Sequence, residues 1–288
     1  MAEISAASVM ELRKISGQGM MDCKRALQET GGNIEQAIDV LRKKGLATLA
    51  KRAGRETSEG LVVCKSTPDG KTAAMATLCC ETDFVAKSDD FVATAKTMID
   101  FALACPAEEG ADNLLEASID GKRFGDILTE TVSKTGEKTQ VGDYARYKLE
   151  GAGLISTYIH FNEKVGTMIQ IDTSEEAVAS SDAVKQAACD IAMHITATKP
   201  LALDKDGIDP GTIEREKAIF AEQVKNKPAN IMDKIVEGKM RKYYAENCLL
   251  EQPFVKDDSR TVEKVLADAA KQAGGQAKLR RFVRFEVG

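Results

Sequence analysis

Apolar residues within the first 55 positions recur every three or four residues, which is the spacing of one buried helix face. The pattern predicts three short helices, which run from a Ser5 cap to Gly17, from Met21 to Thr30 and from an Asn33 cap to Gly45. The inward positions of the first helix are Val9, Leu12 and Ile15. Because three such helices bury little apolar surface, we expect this module to pack against a partner or a neighbouring segment.

After a polar stretch at 51–60, the pattern changes to that of strands and then repeats. Gly60-Leu61-Val62 recurs 93 residues later as Gly153-Leu154-Ile155. Further identities follow at the same offset without a gap: Lys71 and Lys164, Met75 and Met168, Val85-Ala86 and Val178-Ala179, Ser88-Asp89 and Ser181-Asp182, Ala95 and Ala188. Each copy predicts a strand, a hairpin, a second strand, a corner and a helix.

Local turn and cap signals agree with this repeat. The first hairpin turn is predicted at Pro68-Asp69-Gly70 and the second near Asn162-Glu163-Lys164. Ser88 and Ser181 supply the N-cap of the helix that follows each corner. We therefore expect two related units that share one architecture.

The remaining segments are predicted as follows: a mostly helical stretch from Ala107 to Gly136, helices at 212–225 and 228–246 joined at Asn226-Lys227-Pro228, a helix at 259–272 and a closing strand from Leu279 to Val287. The predicted fold class is α+β, with a three-helix module followed by two related units, each a small antiparallel sheet with packed helices. The predicted boundaries are 1–55, 56–142 and 143–288, with a helical-hairpin excursion at about 201–230 in the last unit.

Composition and charge narrow the function classes. The chain has 288 residues, 43% of them hydrophobic, and a net charge of -5, which disfavours a general nucleic-acid binder. The first 55 residues are the exception, with ten basic and six acidic residues. No segment reaches the roughly 18 apolar residues of a membrane span, and the start lacks a signal or transit pattern.

The seven cysteines do not form metal-type C-x-x-C pairs, so the sequence predicts neither a disulfide framework nor a zinc site. We expect a cytoplasmic protein without a metal or cofactor. Gly70-Lys71-Thr72 is similar to the end of a phosphate loop, but Lys65 stands where the first glycine of that motif belongs. His194 is interpreted as a packed residue of a helix, and no motif supplies a partner for His160.

Two segments carry candidate contact residues. At Cys80-Glu81-Thr82-Asp83-Phe84-Val85-Ala86, an acid and a large aromatic stand together between a strand and a helix. The repeat places Ala177 where Phe84 stands, so the corner does not require an aromatic. Met20-Met21, in the turn after Gly17-Gln18-Gly19, either fill the small core or form an adaptable contact surface.

The same segments resemble a known family. Gly17-Gln18-Gly19-Met20-Met21-Asp22-Cys23-Lys24, Glu81-Thr82-Asp83-Phe84-Val85-Ala86, Met193-His194, Ile235-Val236-Glu237-Gly238 and Gln252-Pro253-Phe254-Val255 are similar to bacterial elongation factor Ts. The resemblance implies a guanine-nucleotide exchange factor for elongation factor Tu, with no bond-making chemistry of its own. It also implies that the N-terminal module is UBA-like, similar to ubiquitin-associated domains.

The resemblance also implies site residues. Leu12, Met20 and Met21 would contact the GTPase domain, and Thr82, Asp83, Phe84 and Val85 would intrude beside its magnesium site. A second contact would involve Gly136 and Glu137, together with the second unit. The family's helical extension does not follow Gly288 in this sequence, so the contact that it makes in longer relatives is left open. Asn226 stands where the family has glycine before Lys-Pro, and homodimerisation through the excursion is left open.

Two other function classes stay open at the level of sequence. One is a non-catalytic adaptor that uses its N-terminal module to hold a protein partner. The other is an enzyme that uses Asp83 at the corner. Labelled GDP on the GTPase distinguishes them, since only the exchange factor is expected to accelerate GDP release.

Overall fold

The computed structural model of the protein describes residues 4–225 and 228–288. The predicted joint at Asn226-Lys227 and the first three residues therefore lie outside the described residues. The chain forms two compact units. Unit 1 comprises residues up to 147 with 159–166 and 285–288, and unit 2 comprises 148–158 and 167–284.

Unit 1 contains three N-terminal helices followed by a three-stranded sheet with helices against it. The helices are α1 (Ala6–Ser16), α2 (Met20–Glu29), α3 (Ile34–Arg52), α4 (Asp83–Ala86), α5 (Asp89–Ala104), α6 (Ala111–Glu116) and α7 (Phe124–Thr135). The strands are β1 (Glu59–Ser66), β2 (Thr72–Cys80), β3 (Ser118–Ile119), β4 (Lys122–Arg123) and β5 (Thr139–Lys148). The main sheet has the order β1-β2-β5, and β3-β4 form a separate small hairpin.

Unit 2 contains a second three-stranded sheet, of order β10-β7-β6. Its strands are β6 (Gly153–Ile159), β7 (Val165–Thr173), β8 (Pro253–Phe254), β9 (Asp257–Thr261) and β10 (Ala277–Glu286). Its helices are α8 (Glu176–Ser180), α9 (Asp182–Thr198), α10 (Pro210–Gln223), α11 (Ala229–Asn247) and α12 (Val262–Gln272). The α+β fold class and the antiparallel sheets that the sequence predicts are confirmed. The boundaries at 55 and 142 stay a prediction.

The glycine that recurs at the start of each copy of the repeat is explained by the backbone of the neighbouring strand. An ideal Cβ on Gly60 would stand 2.1 Å from the Leu78 carbonyl oxygen, and one on Gly153 would stand 2.4 Å from the equivalent Ile171 oxygen. In both copies the first strand therefore approaches the second more closely than any side chain allows. The hairpin turns also correspond, since the Asp69 side chain accepts from the Lys71 N–H and the Asn162 side chain accepts from the Lys164 N–H.

The predicted caps are also present. The side chains of Ser5, Asn33, Ser88 and Ser181 each accept a hydrogen bond from the backbone N–H three residues ahead. Because these bonds involve residues close in sequence, the local pattern was sufficient to predict them.

The predicted end of the third helix at Gly45 is wrong, since α3 continues to Arg52. Gly45 lies against α7, where an ideal Cβ would stand 2.6 Å from the Thr129 carbonyl oxygen and 3.1 Å from the Ser133 Cβ. The glycine therefore marks a close helix crossing, not a helix end. Sequence reasoning treated Gly45 as a terminator because α7 lies more than 70 residues away in the chain.

The N-terminal module is held on α7 by polar contacts as well. The Gln18 side chain is buried, donates to the Glu130 carbonyl at 3.5 Å and accepts from the Ser133 hydroxyl at 3.3 Å. Arg42 forms an ion pair with Asp126. The expectation that the small module packs against a neighbouring segment is thus met within unit 1.

His194 is a packed residue of unit 2, as predicted. It is fully buried, its Nε2 lies 2.8 Å from Gln252 Oε1, and its Nδ1 accepts from the Val255 N–H at 3.2 Å. Both ring nitrogens thus have partners that suit the neutral imidazole. Burial lowers the pKa of His194 below its usual 6.5, because a buried imidazolium loses its hydration.

We expect the free energy of unfolding to fall as the pH drops below 6.5. Between the unfolded and the folded pKa of His194, only the unfolded chain takes up the proton, so stability present above 6.5 is lost on acidification, with a slope of at most about 1.4 kcal/mol per pH unit. Denaturant unfolding at several pH values measures this slope. His160→Gln leaves His194 as the one remaining histidine, and a pH dependence that disappears in that variant would contradict the assignment.

Candidate protein-docking site

The corner that carries Phe84 is a single helical turn held by a capping residue, Thr82. Strand β2 ends at the buried Cys80, and Thr82 then adopts an extended conformation with its hydroxyl accepting from the Val85 N–H at 3.4 Å. The turn that follows buries Ala86 and half-buries Val85. Phe84 lies on the outer side of the turn and is 84% exposed, the second most exposed large hydrophobic side chain of the described chain.

The repeat provides an internal comparison for this corner. Ala177, the equivalent of Phe84, is also exposed, while Val178 and Ala179 are buried like Ala86. Position 84 is therefore a surface position in both copies, and the fold gains no core packing from the phenylalanine. Exposed phenylalanine on an ordered corner is typical of a contact residue.

Asp83 places a charge beside that ring. The Lys87 ammonium lies 2.7 Å from its carboxylate and lowers the pKa of Asp83 below the usual value, so the side chain is ionised at neutral pH. Both groups are at the surface. The corner thus presents an apolar ring and a carboxylate together.

Gly136 and Glu137 lie next to this corner. Gly136 ends α7 in a left-handed conformation with φ 72°, and the chain then turns toward β5. The Glu137 carboxylate accepts from the Thr82 hydroxyl at 2.8 Å and from the Thr82 N–H at 3.1 Å. The structure therefore brings Thr82, Asp83, Phe84, Val85, Gly136 and Glu137 into one region of unit 1.

The N-terminal candidates divide into surface and core. Met20 and Met21 begin α2 and are 40% and 64% exposed, so they are available for contact. Leu12 is fully buried in the small core of the module, where it supports the helices but offers no surface of its own.

Sequence reasoning missed other exposed apolar residues. Ile15, which the helical spacing placed inward, is largely exposed, as is Met10. Each step of three residues falls about 60° short of a full turn, so two such steps carry Ile15 well away from the face of Val9. Phe161, at the tip of the β6–β7 hairpin, is 89% exposed; an aromatic directly before a turn signal is the feature by which the sequence could have indicated it.

Comparison with known proteins decides the family. The family model described as elongation factor TS matches residues 81–288, a segment that begins one residue before Thr82. A curated elongation factor Ts from Desulfovibrio desulfuricans is 40% identical over 294 residues, covering 100% of this chain and 99% of the relative. The chain belongs to the elongation factor Ts family. The resemblance carried by its motifs is confirmed, and the protein is an elongation factor of protein biosynthesis.

Other relatives of the family agree. Elongation factor Ts from Nitratiruptor sp. is 41% identical over 287 residues, and that from Clostridium kluyveri is 42% identical over 290 residues. Each alignment covers 99% of this chain and 93% of the relative. These relatives therefore span the N-terminal module, which lies outside the segment matched by the family model.

Neither a metal-ion cluster nor a membrane-spanning helix occurs in the described part of the chain. Among residues 4–225 and 228–288, no cluster of three or more histidine, cysteine or acidic side chains could hold a metal ion. Across that same part of the chain, the helices are all too short or too polar to span a membrane.

Proposed function

We propose that the protein is a guanine-nucleotide exchange factor that binds elongation factor Tu with GDP and promotes GDP release. The observation that carries the proposal is the exposed Phe84 beside an ionised Asp83, on an ordered corner, in a chain of the elongation factor Ts family. The protein makes and breaks no bonds itself, and it works in the cytoplasm. The seven free cysteines fit a reducing compartment.

The proposed mechanism is displacement of a metal site in the partner. The segment Thr82–Val85 enters beside the magnesium ion of the GTPase, with Phe84 and Asp83 as the intruding groups. Because Mg²⁺ neutralises nucleotide phosphates, disturbing its ligands weakens the hold on GDP without contact between this protein and the nucleotide. A factor that binds the GDP-free form more tightly lowers GDP affinity by the same ratio.

Two further contacts complete the proposal. Met20 and Met21 dock on the GTPase domain, and the buried Leu12 supports them from within the module. The loop that begins at Gly136, together with unit 2, contributes a second contact. We assign no nucleic-acid contact, since the net charge is -5.

The experiment is release of labelled GDP from elongation factor Tu in the presence of this protein. We expect at least about a tenfold acceleration. Binding without acceleration would instead support the adaptor, which was the alternative open from the sequence. Absence of both binding and acceleration would overturn the exchange function.

Replacing Met20 and Met21 together by alanine tests the docking surface. We expect the concentration for half-maximal acceleration to rise about tenfold, or about 1.4 kcal/mol, with the maximal rate unchanged, because the methionines are assigned to binding and not to the metal site. Titration of release rate against factor concentration measures both quantities. Leu46→Ala, at an exposed apolar position of α3 in the same module, is the matched control; equal curves for all three proteins would refute the docking assignment.

A further inference from the structure

The corner that carries Phe84 is too short to hold itself in place. Helix α4 has only four residues, and an isolated helical turn is unstable in water because its nucleus costs more than its hydrogen bonds return. Phe84 contributes no packing, since its ring is almost entirely exposed. The position of the ring therefore depends on what fixes the residues around it.

Glu137 supplies that fixation from another segment. Its two carboxylate oxygens accept separately from the hydroxyl and the N–H of Thr82, at 2.8 and 3.1 Å. Hydrogen bonds to an ionised carboxylate are stronger than those between neutral groups. Because the Thr82 hydroxyl gives its single proton to Glu137, its lone pairs are aimed at the Val85 N–H, which they cap.

The segment that carries Glu137 is itself anchored. It follows α7, whose Phe124, Leu128 and Val132 are buried in the core of unit 1. A second bond runs the other way, since the Glu81 carboxylate accepts from the Lys138 N–H at 2.7 Å. The carboxylates of Glu81 and Glu137 thus join segment 81–82 to segment 137–138 by hydrogen bonds in both directions. Arg52 at the end of α3 adds an ion pair to Glu81.

The second copy of the repeat lacks this arrangement. Glu175 stands in the place of Thr82 and makes no side-chain cap bond to α8. The same copy has Ala177 in the place of Phe84. The capping threonine therefore occurs only in the copy of the repeat whose corner carries an exposed aromatic side chain.

We propose that Glu137 is a positioning residue, which acts through Thr82 to fix the orientation of Phe84, and not primarily a contact to the partner. The inference rests on the proposed exchange function and deepens it. A positioning role differs from a direct partner contact in one respect: removal of the Glu137 carboxylate then affects GDP release only through Phe84.

A double-mutant cycle on the full-length protein distinguishes the two roles. We expect Glu137→Ala to lower the maximal rate of labelled GDP release about tenfold, and Glu137→Gln, which keeps one acceptor, to lower it less. In the Phe84→Ala background, Glu137→Ala is expected to have almost no further effect. Glu130→Ala, at an exposed acid of α7 away from the corner, is the control for loss of one negative charge.

Native-state hydrogen exchange gives a readout that does not depend on the partner. Loss of the Glu137 carboxylate is expected to speed amide exchange at Thr82, Val85 and Ala86 while the amides of β2 keep their protection. A normal release rate in Glu137→Ala, or an undiminished effect in the Phe84→Ala background, would overturn the proposal. If the wild-type protein does not accelerate release, the exchange function fails, and hydrogen exchange still decides whether Glu137 orders the corner.

Discussion

Phe84→Ala is expected to abolish most of the acceleration of GDP release while leaving the protein folded. A central aromatic contact is worth about 2 kcal/mol or more, so the maximal release rate should fall about 30-fold or more. Because the ring is almost fully exposed, its removal should change the free energy of unfolding by no more than about 0.5 kcal/mol. Release of labelled GDP at saturating factor, together with denaturant unfolding, measures both effects.

Leu46→Ala is the matched control for this prediction. Leu46 is also a large exposed apolar side chain, but it lies on α3 and is assigned neither to the corner nor to the docking pair Met20 and Met21. We expect this variant to release GDP at the wild-type rate. If Phe84→Ala lost activity only because it unfolded, the ring would be a core residue after all, and the proposed contact between the corner and the GTPase would be wrong.

Gly45→Val is expected to destabilise the protein by about 3 kcal/mol, the upper range for overpacking a close contact. The first added carbon already stands 2.6 Å from the backbone oxygen of Thr129 in α7, and a backbone atom cannot yield as the end of a flexible side chain can. The helices α3 and α7 must separate to admit the new side chain. Denaturant unfolding measures the loss.

Gly238→Val provides the control for helix propensity. Gly238 is also inside a helix, α11, but an ideal Cβ there meets nothing within 4 Å. Glycine and valine differ only by a few tenths of a kcal/mol in an exposed helix, so we expect a change within about 0.5 kcal/mol. Equal losses in the two variants would show that propensity, and not the helix crossing, explains Gly45.

Separation of α3 from α7 should also affect function. Met20 and Met21 belong to the module held on α7, and Phe84 belongs to the sheet corner of the same unit. Simultaneous contact with one partner requires a fixed distance between the two surfaces. Gly45→Val should therefore raise the factor concentration needed for half-maximal release even under conditions where the chain stays folded.

Much of the local structure could be predicted because its causes lie within a few residues. The serine and asparagine caps bond three residues ahead, and the hairpin turns bond two residues ahead. The repeat supplied its own comparison, since the pairing of Phe84 with Ala177 indicated that the corner does not need an aromatic. These inferences needed no knowledge of which segments meet in space.

The sequence by itself determined the two sheet-and-helix copies, the exposed aromatic corner and the family. Only the tertiary structure decided what Gly45 and Glu137 do. In the sequence, Gly45 has the features of a helix end, and Glu137 is one of 45 acidic residues. Their roles are not visible there because their partners are distant in the chain. A close helix crossing and a carboxylate bound to a distant threonine are long-range contacts, whose geometry exists only once the two segments are packed together.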